Sequence, residues 1–194
     1  MTSIARFAAA ALLLVAACAS RTPPASPIRI EPTDLFPLET GNAWSYDVDT
    51  GEPSTTLAVS RVETFDGRFA EVRTARAVLR YEVLEEGIRL PPGDEWVLRA
   101  PLEQGATWLG RGGRSALLVS MGMRVETRAG IFEDCVLVSE TGGKLELEVR
   151  TVYCPGVGPV SVDSTMRSNL GDRTLTVSAK LRGYEVSPAF SSRP

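Results

Sequence analysis

The chain of 194 residues has no histidine. That absence removes imidazole general-base chemistry, Ser-His and Cys-His nucleophile pairs and the commonest zinc ligand sets. Lysine is nearly missing too (Lys144 and Lys180), so arginine carries almost all of the positive charge, which reads as a coding bias and not as a patch. The net charge is only −3, and so mild an acidic balance does not suit a nucleic-acid partner. Helical periodicity is absent beyond the first residues. No apolar run is long enough to cross a bilayer: Phe7 to Ala17, taken as a helix, spans about 16 Å, roughly half of a hydrocarbon core.

That short run has the dimensions of the apolar region of a secretory signal, and a single basic residue, Arg6, precedes it. It closes on Leu14-Val15-Ala16-Ala17-Cys18, which resembles a bacterial lipobox. The small residues Ala16 and Ala17 suit a peptidase that cuts before a cysteine acylated on its thiol. The expectation is that residues 1–17 are removed and that Cys18 carries the lipid. Each buried acyl methylene contributes about 0.8 kcal/mol, so two or three chains hold durably where one does not. Ala19 is not the aspartate that retains many such proteins in the inner membrane, which points to the outer membrane, facing the periplasm or the cell surface.

Residues 18–34 then read as a tether. Four prolines and several small polar residues between Ala19 and Thr33 disfavour a helix or a sheet interior and suit a semi-extended spacer. The folded part is expected over 35–187, a length typical of one domain, with 188–194 as a tail.

Within it the dominant pattern has period two. Leu79, Tyr81 and Val83 alternate with Arg80 and Glu82. Leu145, Leu147, Val149, Thr151 and Tyr153 alternate with Glu146, Glu148, Arg150 and Val152. Leu175, Val177, Ala179 and Leu181 alternate with Thr176, Ser178, Lys180 and Arg182. Each predicts a strand with one face toward a core and the other toward water. Less regular β-rich runs lie at 44–48, 56–63, 68–74, 95–98, 116–120, 123–127 and 135–139. Turn signals punctuate them at Asp66-Gly67, Glu86-Gly87, Pro92-Gly93, Arg111-Gly112-Gly113, Gly142-Gly143 and Gly171-Asp172. The predicted fold is all-β: one antiparallel sheet of roughly ten strands, curled into a half-barrel or sandwich.

One phrase occurs twice. Pro37-Leu38-Glu39-Thr40-Gly41-Asn42-Ala43-Trp44 recurs as Pro101-Leu102-Glu103-Gln104-Gly105-Ala106-Thr107-Trp108. Proline fixes the approach, glycine permits a tight turn, and tryptophan opens a strand as a large core anchor. Two equivalent starts into one sheet are expected, in preference to a pair of aromatics gripping a ligand.

These segments carry a resemblance. Phe36-Pro37-Leu38, Gly41-Asn42 and Trp44-x-Tyr46 resemble the opening of many uncharacterised bacterial envelope lipoproteins, and the second Pro-Leu…Gly…Trp segment is similar to their middle. Ala129-Gly130-Ile131-Phe132-Glu133-Asp134-Cys135 and Tyr153-Cys154-Pro155-Gly156-Val157-Gly158-Pro159-Val160 resemble their later signatures. More loosely, the order of elements is similar to the half-barrel of lipoprotein-localisation factors. The resemblance implies a β-rich envelope lipoprotein and no activity, since the family offers no catalytic residues to transfer. Cys154 departs from the small residue of that pattern.

Chemistry-bearing clusters are few. Cys135 and Cys154 would occupy an oxidising compartment, where a disulfide is invited. With Gly142-Gly143 as the hairpin centre, however, Cys135 faces Arg150, leaving Cys154 about 13 Å further along the strand. Bridged α-carbons lie within roughly 7 Å. A bulge near Cys154-Pro155-Gly156 or another register would close the gap, so the bridge stays open here. Asp47-x-Asp49-x-Gly51 has too few oxygens for a calcium site. Gly110-Arg111-Gly112-Gly113-Arg114 reads as a mobile hairpin turn with two solvated charges. Gly156-Val157-Gly158 lacks the strand–helix context of a dinucleotide loop and is expected to bend the chain between strands. No catalytic residue, metal site or cofactor is expected, and no enzyme. Two functions compete: a non-enzymatic binding or scaffold module for an envelope partner, and a carrier of a lipid or other hydrophobic ligand in a concave cavity. An uncovered apolar concavity favours the carrier; a packed interior favours the module.

Overall fold

The computed structural model describes residues 30–143, 146–167 and 174–187. The signal segment, Cys18 and the tether as far as residue 29, Leu145, the Gly171-Asp172 turn and the tail at 188–194 lie outside the described residues. A short helix, α1 (Pro32–Leu35), precedes twelve strands: β1 (Ala43–Asp49), β2 (Thr56–Phe65), β3 (Phe69–Thr74), β4 (Val78–Leu84), β5 (Gly87–Leu90), β6 (Glu95–Arg99), β7 (Thr107–Leu109), β8 (Ser115–Thr127), β9 (Gly130–Gly142), β10 (Leu147–Cys154), β11 (Gly158–Arg167) and β12 (Thr174–Glu185). They form one antiparallel sheet in the order β6-β5-β4-β3-β2-β1-β12-β11-β10-β9-β8-β7, bent into a nearly closed barrel.

The all-β expectation is met, with more strands than the sequence suggested. β5 and β7 are too short to show alternation. β11 opens on Gly158-Pro159, which reads as a break; a register shift between Val152 and Tyr153 accommodates the proline by placing it opposite Tyr153. The runs at 116–120 and 123–127 are one strand, β8, which continues through shifts in its pairing with β9.

The topology makes the first and last strands neighbours. β1 pairs with β12 over seven residue pairs, from Ala43 with Glu185 to Asp49 with Ser178. The two sheet edges, β6 and β7, come together without a backbone ladder between them among the described residues. Side chains close this seam: Trp108 Nε1 donates to the Trp96 carbonyl at 3.2 Å. Glu95 accepts the amides of Gly112 and Gly113 at 3.0 and 3.2 Å.

The repeated phrase has one geometry in both places. Gly41 and Gly105 sit at φ +95° and +90°, where side chains with a Cβ are strained. The Gly41 amide donates to the Val62 carbonyl at 2.9 Å and the Gly105 amide to that of Leu118 at 2.8 Å. Val62 and Leu118 donate back to the carbonyls of Asn42 and Ala106. Trp44 and Trp108 then enter β1 and β7, both buried. Their indole N–H groups donate to separate carbonyls, Val157 at 2.6 Å and Trp96, so the two rings anchor strands and do not converge on one site.

Four sequence expectations need correction. First, Pro32 begins α1 inside the stretch assigned to the tether, because proline at the first helical position loses no intrahelical hydrogen bond. Leu35 is fully buried, and the Asp34 carbonyl accepts the Gly156 amide at 2.7 Å, fixing the helix across one end of the barrel. Second, Glu82, expected to face water, is buried at 2% exposure beneath Arg68 and Arg89. Third, Leu175 and Val177, where β12 pairs with Met166 and Ser164 of β11, are exposed. Fourth, Arg150 pairs with Ser139 and not with Cys135. Gly142 pairs with Leu147, so the connection runs over 143–146 and shifts the register by four. That shift sets Cys135 beside Cys154, with α-carbons 4.2 Å apart and a sulfur–sulfur bond of 2.04 Å.

Candidate functional site

About eight strands give a barrel interior that side chains can fill; twelve leave more room than that. At the α1 end the space is filled by Leu35, Phe36, Trp44 and Leu181, while the buried Cys135–Cys154 bridge lies on the opposite face of the sheet from Val136 and Tyr153. Toward the other end the interior is not filled. A cavity of 410 Å³ opens there, walled by Phe36, Tyr81, Leu90, Val97, Val138, Leu147, Val149, Tyr153 and Val162. A second, of 200 Å³, lies among Trp44, Tyr46, Val72, Leu79 and Ala179 and shares the wall of Phe36, Tyr81, Pro159 and Val162. Phe36 meets the Tyr81 ring edge-on, with centroids 5.4 Å apart, and stands between the two spaces.

Period two places these side chains. On β10, Leu147, Val149, Thr151 and Tyr153 all face inward, as the alternation predicts. On β9 the inward series is Val136, Val138 and then Glu140, so a carboxylate follows two valines into the barrel. Glu140 accepts the Arg111 amide at 2.8 Å and Arg114 Nη2 at 3.1 Å. It packs against Gly110 so closely that a Cβ there would displace its Oε1 and with it the bonds to Arg111 and Arg114. Arg114 is 12% exposed and Glu140 16%, an ion pair largely withdrawn from water. Arg114 is therefore not the solvated turn charge that the sequence suggested. The turn it belongs to is held to β6 by Glu95 and to β9 by Glu140.

Three tyrosines line the interior. Tyr46 donates its hydroxyl to the Pro159 carbonyl at 2.9 Å. Burial first, and the neighbouring Tyr81 second, push its phenol well above the usual range. Burial raises Tyr81 too, with the Arg111 charge working against it. Tyr153 is raised as well, by burial and then by the charge of Glu140. All three stay neutral at physiological pH and act as hydrogen-bonding, apolar-bodied walls.

The other sequence candidates go elsewhere. Asp47 is engaged by Arg182 at 3.0 Å and Arg128 at 3.7 Å, and Asp49 accepts the Gly51 amide at 2.8 Å in a turn. Gly156-Val157-Gly158 turns the chain from β10 to β11. Among the described residues, no group of three or more His, Cys, Asp or Glu is placed to hold a metal ion, and no helix is long and apolar enough to cross a membrane. The interior pair was missed because Glu140 and Arg114 are remote in sequence. The continuation of the inward alternation to Glu140 was the available signal.

No protein-family model and no curated protein matches the chain. Two solved structures are similar to it. One is a "putative exported protein with YmcC-like fold" from Bacteroides fragilis, at 15% identity and a TM-score of 0.49. The other is a "putative lipoprotein" from Parabacteroides distasonis, at 10% identity and a TM-score of 0.45. Each match covers 78% of this chain and 98% of the other.

Proposed function

We propose that this chain is a lipid-anchored protein of the bacterial cell envelope whose barrel binds a small hydrophobic or amphipathic ligand, without catalysing a reaction. The observation that carries the binding reading is the 410 Å³ cavity left open among apolar side chains inside the sheet. Its volume falls in the range of about 300–1,000 Å³ typical of small-molecule sites. A packed interior would have favoured a module that works by its outer surface alone. The anchor rests on Leu14-Val15-Ala16-Ala17-Cys18, and the outer-membrane address on Ala19.

Native mass spectrometry of the protein extracted from envelopes tests the ligand. A bound mass in the lipid range supports the carrier. An empty barrel with a stoichiometric protein adduct selects the scaffold reading instead, which the outward-facing Leu57 and Val59 on β2 favour, exposed at 56% and 47%. Labelled palmitate tests the address: it enters the native chain and not Cys18→Ser, which leaves the membrane fraction. Retention of Cys18→Ser in the membrane rules the anchor out.

A further inference from the structure

We propose that the larger cavity takes an amphipathic anion, its carboxylate or phosphate head against Arg111 and Arg114 and its apolar body along Val138, Val149 and Val162. The inference rests on the ligand-binding reading above and adds the chemistry of the head group. Three observations carry it. Arg114 gives one guanidinium nitrogen to Glu140, while its Nε is buried with no hydrogen-bond partner among the described residues. Buried donors are almost always paired, because an unpaired one forfeits its water without replacement. A ligand oxygen in the cavity supplies the missing acceptor.

The second observation is the charge count. Arg111 and Arg114 both line this cavity, against the single carboxylate of Glu140, leaving one positive charge in excess. The Arg111 guanidinium has no carboxylate partner among the described residues, and it lies close enough to the buried Tyr81 phenol to influence its titration. The third observation is the asymmetry of the walls. Charge gathers on the turn at 110–114 and on Glu140, whereas β10 and β11 contribute no charged side chain: Leu147, Val149 and Val162 stand there beside the hydroxyls of Thr151, Tyr153 and Ser164. A molecule with one charged end and one apolar end matches that division. Charge-assisted hydrogen bonds in a site partly withdrawn from water are the strong ones.

The test uses the exported chain carrying Cys18→Ser, purified without detergent, and displacement of a fluorescent fatty acid. Competitors are dodecanoate, dodecyl phosphate, dodecanol and inorganic phosphate. Dodecanoate and dodecyl phosphate are expected to compete about tenfold better than dodecanol, and inorganic phosphate not at all. Arg114→Gln and Arg111→Gln are each expected to bring dodecanoate down to the level of the alcohol. Arg111 sits on an exposed turn, so its variant keeps the test decisive even where Arg114→Gln does not fold. Dodecanol binding as tightly as dodecanoate overturns the head-group assignment and leaves the cavity reading standing. Binding of none of the amphiphiles overturns both. Competition by inorganic phosphate alone marks a free-anion site and overturns the amphiphile.

Discussion

Across β3, β4 and β5 the first six strands are tied on their outer side by charge, whereas the last six are tied by a covalent bond. Glu82 on β4 receives Arg89 Nε at 2.6 Å, from β5, and Arg68 Nη2 at 2.5 Å, from the turn before β3. In the other half, Cys135 of β9 and Cys154 of β10 form a disulfide that closes a separation of 19 residues. The halves also meet in two unlike ways. β1 and β12 share a ladder of backbone pairs, whereas β6 meets β7 through the Trp108 indole and the turn after β7 through the Glu95 carboxylate, with no backbone ladder among the described residues. One repeated phrase thus starts two halves that are held differently, and acid and reductant become separate handles on them.

The largest expected effect probes the two meeting points. Trp44→Ala removes a fully buried ring beside the β1–β12 ladder and is expected to cost about 3–5 kcal/mol, with Trp108→Ala at the low end of that range. Urea unfolding measures both, and a larger loss at Trp108 would reverse the ranking of ladder over seam. Next comes the covalent half: opening the Cys135–Cys154 loop is expected to cost about 3 kcal/mol by loop-closure entropy. Thermal melts with and without reductant, set against the Cys135→Ala/Cys154→Ala double variant, measure it. An unchanged midpoint would show that the bridge contributes nothing to this half.

The charged half should answer to pH instead. Hydrogen bonds from Arg89, and then Arg68, hold the Glu82 carboxyl below its ordinary value of 4.5. Its folded pKa is therefore below its unfolded one. The contribution is complete above about pH 4.5 and fades as pH falls through the depressed folded value. The melting temperatures of the native chain and Glu82→Gln should be well separated at pH 7 and converge as pH falls through the depressed folded value. A gap independent of pH would remove charge from the account of this half. The smallest effect is local. Amides of β6 and β7 that face the seam are expected to exchange hydrogen before those of β1 and β12 that face each other. Equal protection would mean that the seam is as closed as the ladder.

Much of the fold was legible, for a physical reason: a half-buried strand must alternate, and β4, β10 and β12 do. The repeated Pro-Leu-Glu-x-Gly-x-x-Trp phrase was read as two equivalent strand starts because each residue has a local task, and both copies carry out those tasks alike. What escaped was whatever depended on a partner distant in the chain. Glu82 looks like any outward residue of an alternating strand until Arg68 and Arg89 fold over it. The pairing of Cys135 with Cys154 turned on a hairpin centre that two adjacent glycines misplace by two residues, a register shift of four. Arg114 and Glu140 gave no joint signal, since neither has an unusual local sequence.

By itself the amino-acid sequence determined the β class and the matching starts of β1 and β7, because period two and turn chemistry act over a few residues. Only the tertiary structure decided that the sheet closes on itself, which inward positions are filled and which are left open. Those outcomes depend on strand number, on register, and on the meeting of β6 with β7 and of β1 with β12. A cavity is a property of the whole closed sheet, so no single strand encodes it.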